Sequence, residues 1–194
     1  MLQKYLKEAT QNNHAELEQL MFADQIMNGT LTLPQYKKIV ATNYLVHNLL
    51  EEHLLTTLVP EIAAKLKIGA RRKLASLKAD ISELKMNIPW AKFDTPSIAF
   101  ENEASILGAL YVLEGSTLGG SIIVKKLKNN LNLNDLHLNF HYYQIYGTNL
   151  IQYWKEFCEI LNAQPFNTYS DSIYGAKKMF EFIAFVQQSV LDIN

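Results

Sequence analysis

Histidines are the first residues in this sequence whose side chains could bind a metal or move a proton. His14 is followed four residues later by Glu18. In a helix, a carboxylate at that spacing can accept one imidazole N–H, which leaves the other ring nitrogen free to ligate a metal. An ordinary surface pair has the same spacing, so the spacing alone leaves both interpretations open. His47 and His53 are six residues apart and therefore lie on different faces of a helix.

A second candidate is the segment YVLEGSTLGG at residues 111–120, which places three glycines inside one helical pattern. Each glycine costs about 0.8–1 kcal/mol relative to alanine in a helix. That cost is expected where two helices cross closely, or where a kinked helix brings its backbone against a flat ligand that any Cβ would touch. In the second case, the Ser116 hydroxyl at the bend could orient a water molecule near the ligand.

Motifs of several competing chemistries are absent from the sequence. A carboxylate-bridged di-iron bundle needs Glu-x-x-His on two helices, and no histidine here has a glutamate three residues before it. There is also no HExxH, no phosphate-binding GxxxxGK(S/T), no GxGxxG and no nucleophile elbow. The single cysteine, Cys158, excludes an internal disulfide and a CxxC zinc site.

The remaining histidines, His137 and His141, are expected to form a partly exposed structural pair.

The composition is that of one ordinary globular domain, expected to span residues 1–194. Hydrophobic residues make up 48% of the chain, and 18 Lys and Arg nearly balance 19 Asp and Glu. A near-zero net charge argues against binding to nucleic acid or to an anionic membrane. The longest apolar stretch, residues 106–113, is too short to cross a membrane, and the first residues lack the apolar core of a signal peptide. A cytoplasmic location is therefore expected.

Breaks in the apolar periodicity divide the chain into the helices that must position these residues. The predicted helices cover residues 2–27, 33–58, 60–69, 70–86, 98–129, 140–161 and 171–191. Asn28-Gly29 supplies a left-handed stop after the first helix, and Thr32 caps the second. A loop is predicted over residues 88–97, and turns over residues 130–139, where the alternating leucines are also compatible with a short strand. Because no hairpin or βαβ pattern occurs, the sequence predicts an all-α domain of about seven helices.

Residues 108–127, GALYVLEGSTLGGSIIVKKL, resemble the distal-helix signature of bacterial biliverdin-producing heme oxygenases. Residues 6–21, LKEATQNNHAELEQLM, resemble the proximal helix of the same family, in which one histidine ligates the haem iron. The likeness extends through the C-terminal half at Tyr146, Gly147, Trp154, Phe157, Ala176 and Phe180. The resemblance implies an all-α, single-domain, multi-helix bundle in which haem is sandwiched between the proximal helix and a kinked distal helix.

Carried over position by position, the resemblance makes His14 the axial ligand of the haem iron and Glu18 the partner that orients it. The distal surface over the haem would be formed by Gly115, Ser116, Gly119 and Gly120. The residues implied to hold a propionate or to pack against the porphyrin are Lys7, Tyr111, Lys125 or Lys126, Lys177 and Phe180. Animal-type members carry an aspartate where this chain has Ser116, so the anchoring of distal water falls here to a serine.

In this family haem b is both substrate and cofactor, and the resemblance implies an oxidoreductase that uses O2 and electrons to open haem to biliverdin, CO and Fe2+. The chain has no flavin or nicotinamide fingerprint and no cysteine set for an iron–sulfur cluster, so the electrons must come from a partner such as a ferredoxin or flavoprotein reductase. The basic runs at residues 71–73 and 125–128 either attract such an acidic partner or lie on ordinary solvated helix faces. Two further hypotheses share the fold: a haem-binding storage or sensing protein without turnover, and a helical scaffold without haem.

Overall fold

The computed structural model describes residues 1–87 and 98–190, and within them it contains α-helices and short 3-10 turns but no strand. The helices are α1 (Leu2–Ala9), α2 (Gln11–Leu20), α3 (Ala23–Asn28), α4 (Leu33–Thr56), α5 (Pro60–Leu66), α6 (Leu74–Glu83), α7 (Glu103–Gly115), α8 (Gly120–Lys128), α9 (Leu150–Asn162) and α10 (Tyr169–Ser189). The prediction of an all-α fold is confirmed. The loop predicted over residues 88–97 lies outside the described residues.

The helix predicted over residues 2–27 is divided into α1, α2 and α3. The first break is at Thr10, where φ is −113° and the side-chain hydroxyl donates to the Leu6 carbonyl at 2.7 Å. The second break is at Phe22, which has a left-handed φ of 58°. Helix α3 ends at Asn28, and the next residue, Gly29, has a left-handed φ of 70°, which confirms the predicted stop. Helix α2 is therefore a separate short helix, and it carries His14.

The long helix α4 packs against α6 and α10 near the middle of the fold. A capping box confirms its predicted start, because Thr32 Oγ1 accepts a hydrogen bond from the Gln35 N–H while the Gln35 side chain accepts one from the Thr32 N–H. The residues that α4 buries are mostly apolar, but they include His47 and Glu51. A buried polar pair on a core helix needs partners on the neighbouring elements.

Helices α7 and α10 cross with their backbones in contact. A Cβ on Gly108 of α7 would lie 1.9 Å from the Ser172 carbonyl oxygen, and a Cβ on Gly175 of α10 would lie 2.0 Å from the Ser105 carbonyl oxygen. Glycine at both positions allows an approach that a side chain would prevent. This crossing fixes the helix that leads into the glycine segment.

The stretch Glu103–Lys128 is long and apolar enough, by length and composition alone, to cross a membrane. In the structure it consists of α7 and α8 joined by a bend at residues 116–119, and 56% of its apolar window is buried inside the protein. Such burial is typical of the core helices of a soluble protein.

The helix predicted over residues 140–161 begins only at Leu150. Phe140 and Gly147 adopt left-handed φ values of 56° and 48°, which an α-helix does not tolerate. In addition, the Asp80 carboxylate accepts the backbone N–H groups of residues 141 and 142 and holds this segment against α6 as a 3-10 turn.

The structure also tests two further predicted segments. Residues 130–139 form turns, as predicted, including a 3-10 turn at Asn134–Leu136, and they do not form the short strand that was the alternative. The helix predicted over 70–86 is limited to α6, because the residues just before α6 turn into the interior, where Arg71 is buried.

Candidate functional site

His14 lies on the exposed side of α2. Its side chain is 62% exposed, and Nδ1 lies 3.3 Å from Oε2 of Glu18, one turn further along the helix. The ring also makes an edge-to-face contact with Phe180 of α10, with 6.1 Å between ring centroids. The structure therefore brings together three of the predicted site residues. With Nδ1 directed at the carboxylate, Nε2 is the nitrogen that can ligate a metal.

The glycine segment forms a bend between α7 and α8. Within it the backbone hydrogen bonds span three residues: Leu118 N–H donates to the Gly115 carbonyl at 3.1 Å, and Gly120 N–H donates to the Thr117 carbonyl at 2.8 Å. This confirms that the helix predicted over residues 98–129 breaks at its glycines.

Gly115 and Gly119 are partly exposed, and packing within the described residues does not require either to be glycine. A Cβ on Gly115 would approach only the tip of the Trp154 ring, at 3.9 Å, and a Cβ on Gly119 only the end of the flexible Ile123 side chain, at 3.4 Å. Neither residue has a positive φ. Their missing side chains leave a strip of bare backbone, which is what close contact with a flat ligand requires.

Gly120 has a different reason to be glycine. A Cβ there would lie 2.4 Å from the Tyr143 carbonyl oxygen, so the residue lets α8 pack on the Tyr142–Gln144 turn. The close-crossing explanation therefore applies to Gly120, whereas the bare-backbone explanation applies to Gly115 and Gly119.

The Ser116 hydroxyl at the bend is held by two hydrogen bonds. Ser116 Oγ donates to the Leu113 carbonyl at 2.8 Å, so the Tyr142 hydroxyl, 3.0 Å from Oγ, must be the donor in the other bond. Burial raises the pKa of Tyr142, which keeps this donor protonated. Ser116 is exposed and thus offers solvent an oxygen lone pair rather than a proton.

Three lysines predicted to hold propionates are exposed, and none of them forms an ion pair within the described ranges: Lys7, Lys125 and Lys177. The alternative Lys126 instead donates to the Met27 carbonyl at 2.8 Å, near the C-terminal end of α3. Tyr111 is half-buried against Trp154, with 5.8 Å between ring centroids. Of the two neighbouring lysines, Lys125 is therefore the one available to an anionic ligand.

The expectation that residues 71–73 lie on a solvated face or dock an acidic partner is wrong for two of the three. The side chains of Arg71 and Lys73 are only 2% exposed, and each lies 2.5 Å from a carboxylate oxygen of Glu114. The Tyr146 hydroxyl also donates to Glu114 at 2.9 Å. Only Arg72 is at the surface, where it pairs with Glu52.

This buried charge cluster, defined by Glu114, Arg71, Lys73 and Tyr146, lies directly behind the bend. Burial by itself raises the pKa of Glu114, but the charges of Lys73 and Arg71 and the hydrogen bonds outweigh it and lower the pKa. Glu114 is therefore ionised and anchors the last turn of α7. In the sequence, the feature that indicates a buried role for Glu114 is its position directly after the apolar stretch 106–113.

A second histidine–glutamate pair lies in the interior. His47 Nδ1 is 2.9 Å from Glu51 Oε2, and the same oxygen accepts the backbone N–H groups of Lys73 at 2.6 Å and Leu74 at 3.2 Å. Glu51 therefore caps the start of α6. In the sequence, this pair is indicated by the four-residue spacing of His47 and Glu51, which is the same as that of His14 and Glu18.

His141 does not form the predicted pair with His137; its Nε2 lies 2.9 Å from Oε1 of Glu83 instead. Asp80, Glu83 and His141 could bring three ligand atoms within 4.8 Å of one another. The acids already accept backbone N–H groups, however: Asp80 from residues 141 and 142, and Glu83 from residue 139. These bonds give the cluster a structural role in holding the turn before α9.

Comparisons with known proteins agree with the all-α fold. The chain matches the family model described as heme oxygenase over residues 1–188. No curated protein matches it. Among solved structures, the crystal structure of heme oxygenase-1 from the cyanobacterium Synechocystis sp. PCC6803 in complex with heme matches with a TM-score of 0.73 and 19% identity, over 96% of this chain and 90% of that chain. Because the family model covers nearly all of its length, the chain belongs to the heme oxygenase family.

Proposed function

We propose that residues 1–194 form one domain and that the protein is an oxidoreductase that binds haem b between α2 and the α7–α8 bend and opens it to biliverdin, CO and Fe2+. The observation that carries the proposal is the bare backbone at Gly115 and Gly119, which neither packing nor φ requires. His14 supplies the second half of the site, an exposed imidazole whose orientation is biased by Glu18.

When bound, haem supplies the iron and the oxidisable porphyrin ring, and O2 and an external donor supply the oxidant and electrons. His14 Nε2 would ligate the iron, while Glu18 near Nδ1 favours the tautomer that leaves Nε2 unprotonated. Gly115 and Gly119 would let the backbone of the bend approach the porphyrin face. The Ser116 oxygen would accept a hydrogen bond from a water and so orient that water's second proton toward the haem.

The edges of the proposed site carry the remaining roles. The exposed ammonium groups of Lys7, Lys125 and Lys177 would hold the propionates as point charges. Phe180 packs beside the His14 ring, and Tyr111 lines the distal side next to Trp154. Since two cations of the run 71–73 are buried, the run 125–128 is the better docking surface for an acidic ferredoxin or flavoprotein reductase. We place the enzyme in the cytoplasm, without a nucleic-acid or membrane partner.

The first experiment is an absorption time course of the hemin-loaded protein in air, after a reductant is added with catalase present. We expect the Soret band to decay while a far-red biliverdin band grows. A Soret band that forms and then persists would favour a storage or sensing protein. If no Soret complex forms, the protein would be a helical scaffold without haem.

The His14→Ala variant tests the assignment of the iron ligand. We expect the ferric Soret band to shift and turnover to be lost, because the variant removes the nitrogen that would ligate the iron, while an exposed side chain contributes little to folding. The matched control is His53→Ala, which removes an exposed histidine from α4 and should leave the spectrum unchanged. An unaltered spectrum in His14→Ala would show that another group binds the iron.

A further inference from the structure

His47 is the most deeply buried histidine of the described residues, with 2% of its surface exposed. The ionisable groups that face it are Glu51 on its own helix, Lys73 at the start of α6 and Glu114 at the end of α7. Its ring also contacts the ring of Tyr142 edge-to-face, with 5.7 Å between centroids. His47 is thus placed between the buried charge cluster and the hydroxyl that holds Ser116.

The hydrogen-bond partners of Glu51 determine which nitrogen of His47 carries the proton. Glu51 accepts two backbone N–H groups as well as the contact from His47 Nδ1, so it acts as an ionised acceptor, and Nδ1 is the donor. Burial lowers the pKa of His47, so the imidazole is neutral. It follows that Nε2 is a bare acceptor. That atom is buried and has no hydrogen-bond partner among the described residues.

A similar argument, starting from the Leu113 carbonyl, determines the direction of the hydrogen bonds at the bend. The Leu113 carbonyl can only accept, so Ser116 donates to it and Tyr142 donates to Ser116. The Tyr142 hydroxyl oxygen therefore keeps an unused lone pair. Two acceptors, Nε2 of His47 and the oxygen of Tyr142, thus belong to neighbouring buried rings.

A chain of hydrogen bonds between two obligate acceptors must contain one group that donates in both directions. A water molecule has two protons and can donate one to each of these lone pairs. No side chain described here occupies that position, since Nε2 of His47 has no protein donor.

We propose that His47 Nε2 and the Tyr142 hydroxyl oxygen bind one internal water molecule, and that His47 is thereby a positioning residue for the Ser116 hydroxyl at the haem surface. The order of donation is then His47 to Glu51, water to both His47 and Tyr142, Tyr142 to Ser116, and Ser116 to Leu113. The first part of this proposal, that an internal water is bound, depends only on the ligand-free structure and is called the water-binding half. The second part, that His47 positions Ser116, rests on the proposed function and is called the positioning half.

The water-binding half is tested on the ligand-free full chain. In a high-resolution crystal structure we expect a water within hydrogen-bond distance of His47 Nε2 and the Tyr142 oxygen. In 15N-detected NMR of the histidines we expect His47 to carry its proton on Nδ1. A proton on Nε2, or a side chain that donates to it in place of water, would overturn this half whether or not haem binds.

The positioning half is tested with hemin-loaded His47→Phe, which keeps a ring but removes both nitrogens. We expect the midpoint of the pH-dependent change in its ferric spectrum to move and biliverdin formation to slow several-fold. His47→Gln, which retains a donor and an acceptor, should restore part of both. The control His53→Phe changes an exposed histidine of the same helix and should move neither.

If His47→Phe fails to fold, Tyr142→Phe replaces it, because that variant removes only the hydroxyl. A wild-type spectral midpoint and rate in a folded variant would overturn the positioning role. If wild-type protein forms no haem complex, the proposed function and the positioning half both fail, while the crystal and NMR results still decide the internal water.

Discussion

Two histidine–glutamate pairs with the same four-residue spacing have opposite environments in this protein. In the pair of α2, Nδ1 of His14 lies 3.3 Å from the Glu18 carboxylate, and both side chains are more than half exposed. In the pair of α4, the distance from His47 to Glu51 is 2.9 Å, and both side chains are almost fully buried. The spacing determines that the two groups meet, but burial determines their role: the exposed pair can take a ligand from outside, whereas the buried pair organises the interior.

The same contrast distinguishes two adjacent glycines. Gly119 is partly exposed, and a Cβ there would approach only the flexible Ile123 side chain, at 3.4 Å. Gly120 faces inward, and a Cβ there would collide with backbone. The bend therefore has an outer surface suited to a ligand and an inner surface held by the fold, which predicts that equal substitutions on the two sides have unequal effects.

The largest effect is expected at Glu114, the centre of the buried charge cluster. Glu114→Ala leaves the charges of Arg71 and Lys73 buried without their partner, and we expect it to lower the free energy of unfolding by about 3–5 kcal/mol. Denaturant unfolding monitored by circular dichroism measures this. The control is Glu52→Ala, which breaks the surface pair with Arg72 and should leave stability nearly unchanged. Equal losses of unfolding free energy in the two variants would show that burial does not decide how much an ion pair contributes to stability.

A smaller effect is expected at the adjacent glycines. Gly120→Ala should destabilise the protein by about 1–3 kcal/mol, because its Cβ would lie 2.4 Å from a backbone oxygen that cannot move freely. Gly119→Ala should fold normally, and Gly119→Leu should fold yet lose haem binding or turnover, since the added side chain extends over the bare backbone. Thermal unfolding and hemin titration separate the two effects. Unchanged biliverdin yield from Gly119→Leu would rule out close approach of the ligand.

The smallest effect, and the most direct comparison of the two pairs, is expected from Glu51→Gln and Glu18→Gln. Burial alone raises the pKa of Glu51, but the hydrogen bonds from His47 and two backbone N–H groups outweigh it and lower the pKa from its usual value of 4.5. A lowered carboxylate pKa adds stability that is present above that usual value and is lost as the pH falls through the folded-state value.

Glu51→Gln should therefore be less stable than wild type by about 2 kcal/mol at pH 7, since it leaves buried donors poorly paired. The difference should shrink as the pH is lowered below 4.5. Glu18→Gln should follow the wild-type curve at every pH, because its pair is exposed. Denaturant unfolding between pH 7 and pH 3 measures the free energy of unfolding of wild type and of both variants. A difference between Glu51→Gln and wild type that does not change with pH would show that the charge of Glu51 is not involved.

Local signals predicted much of the fold. The Thr32 cap, the stop at Gly29 and the break at the glycine segment depend on residues close in sequence, and the structure has all three. The candidate site also depended on local patterns, namely the His14–Glu18 spacing and the glycines. These features could be predicted because capping, left-handed φ and helix spacing are properties of a few consecutive residues.

The interior behind the site could not be predicted because its partners are far apart in the chain. The run 71–73 has the same local pattern as a solvated basic run, and its burial depends on an acid at position 114, 43 residues from Arg71. The role of His47 depends on Tyr142, which a helix predicted over residues 140–161 would have placed differently. Such long-range ion pairs leave no periodicity in the sequence.

The charge cluster also has a consequence for the order in which the chain folds. It closes loops of 43 residues from Arg71 to Glu114 and of 32 residues from Glu114 to Tyr146. A charge that leaves water before its partner arrives is strongly disfavoured, so these segments can be buried only together. We therefore expect the last turn of α7 and the bend that follows it to acquire their final shape late in folding. A partly folded chain would then lack the finished outer surface of the bend, where we propose that haem binds.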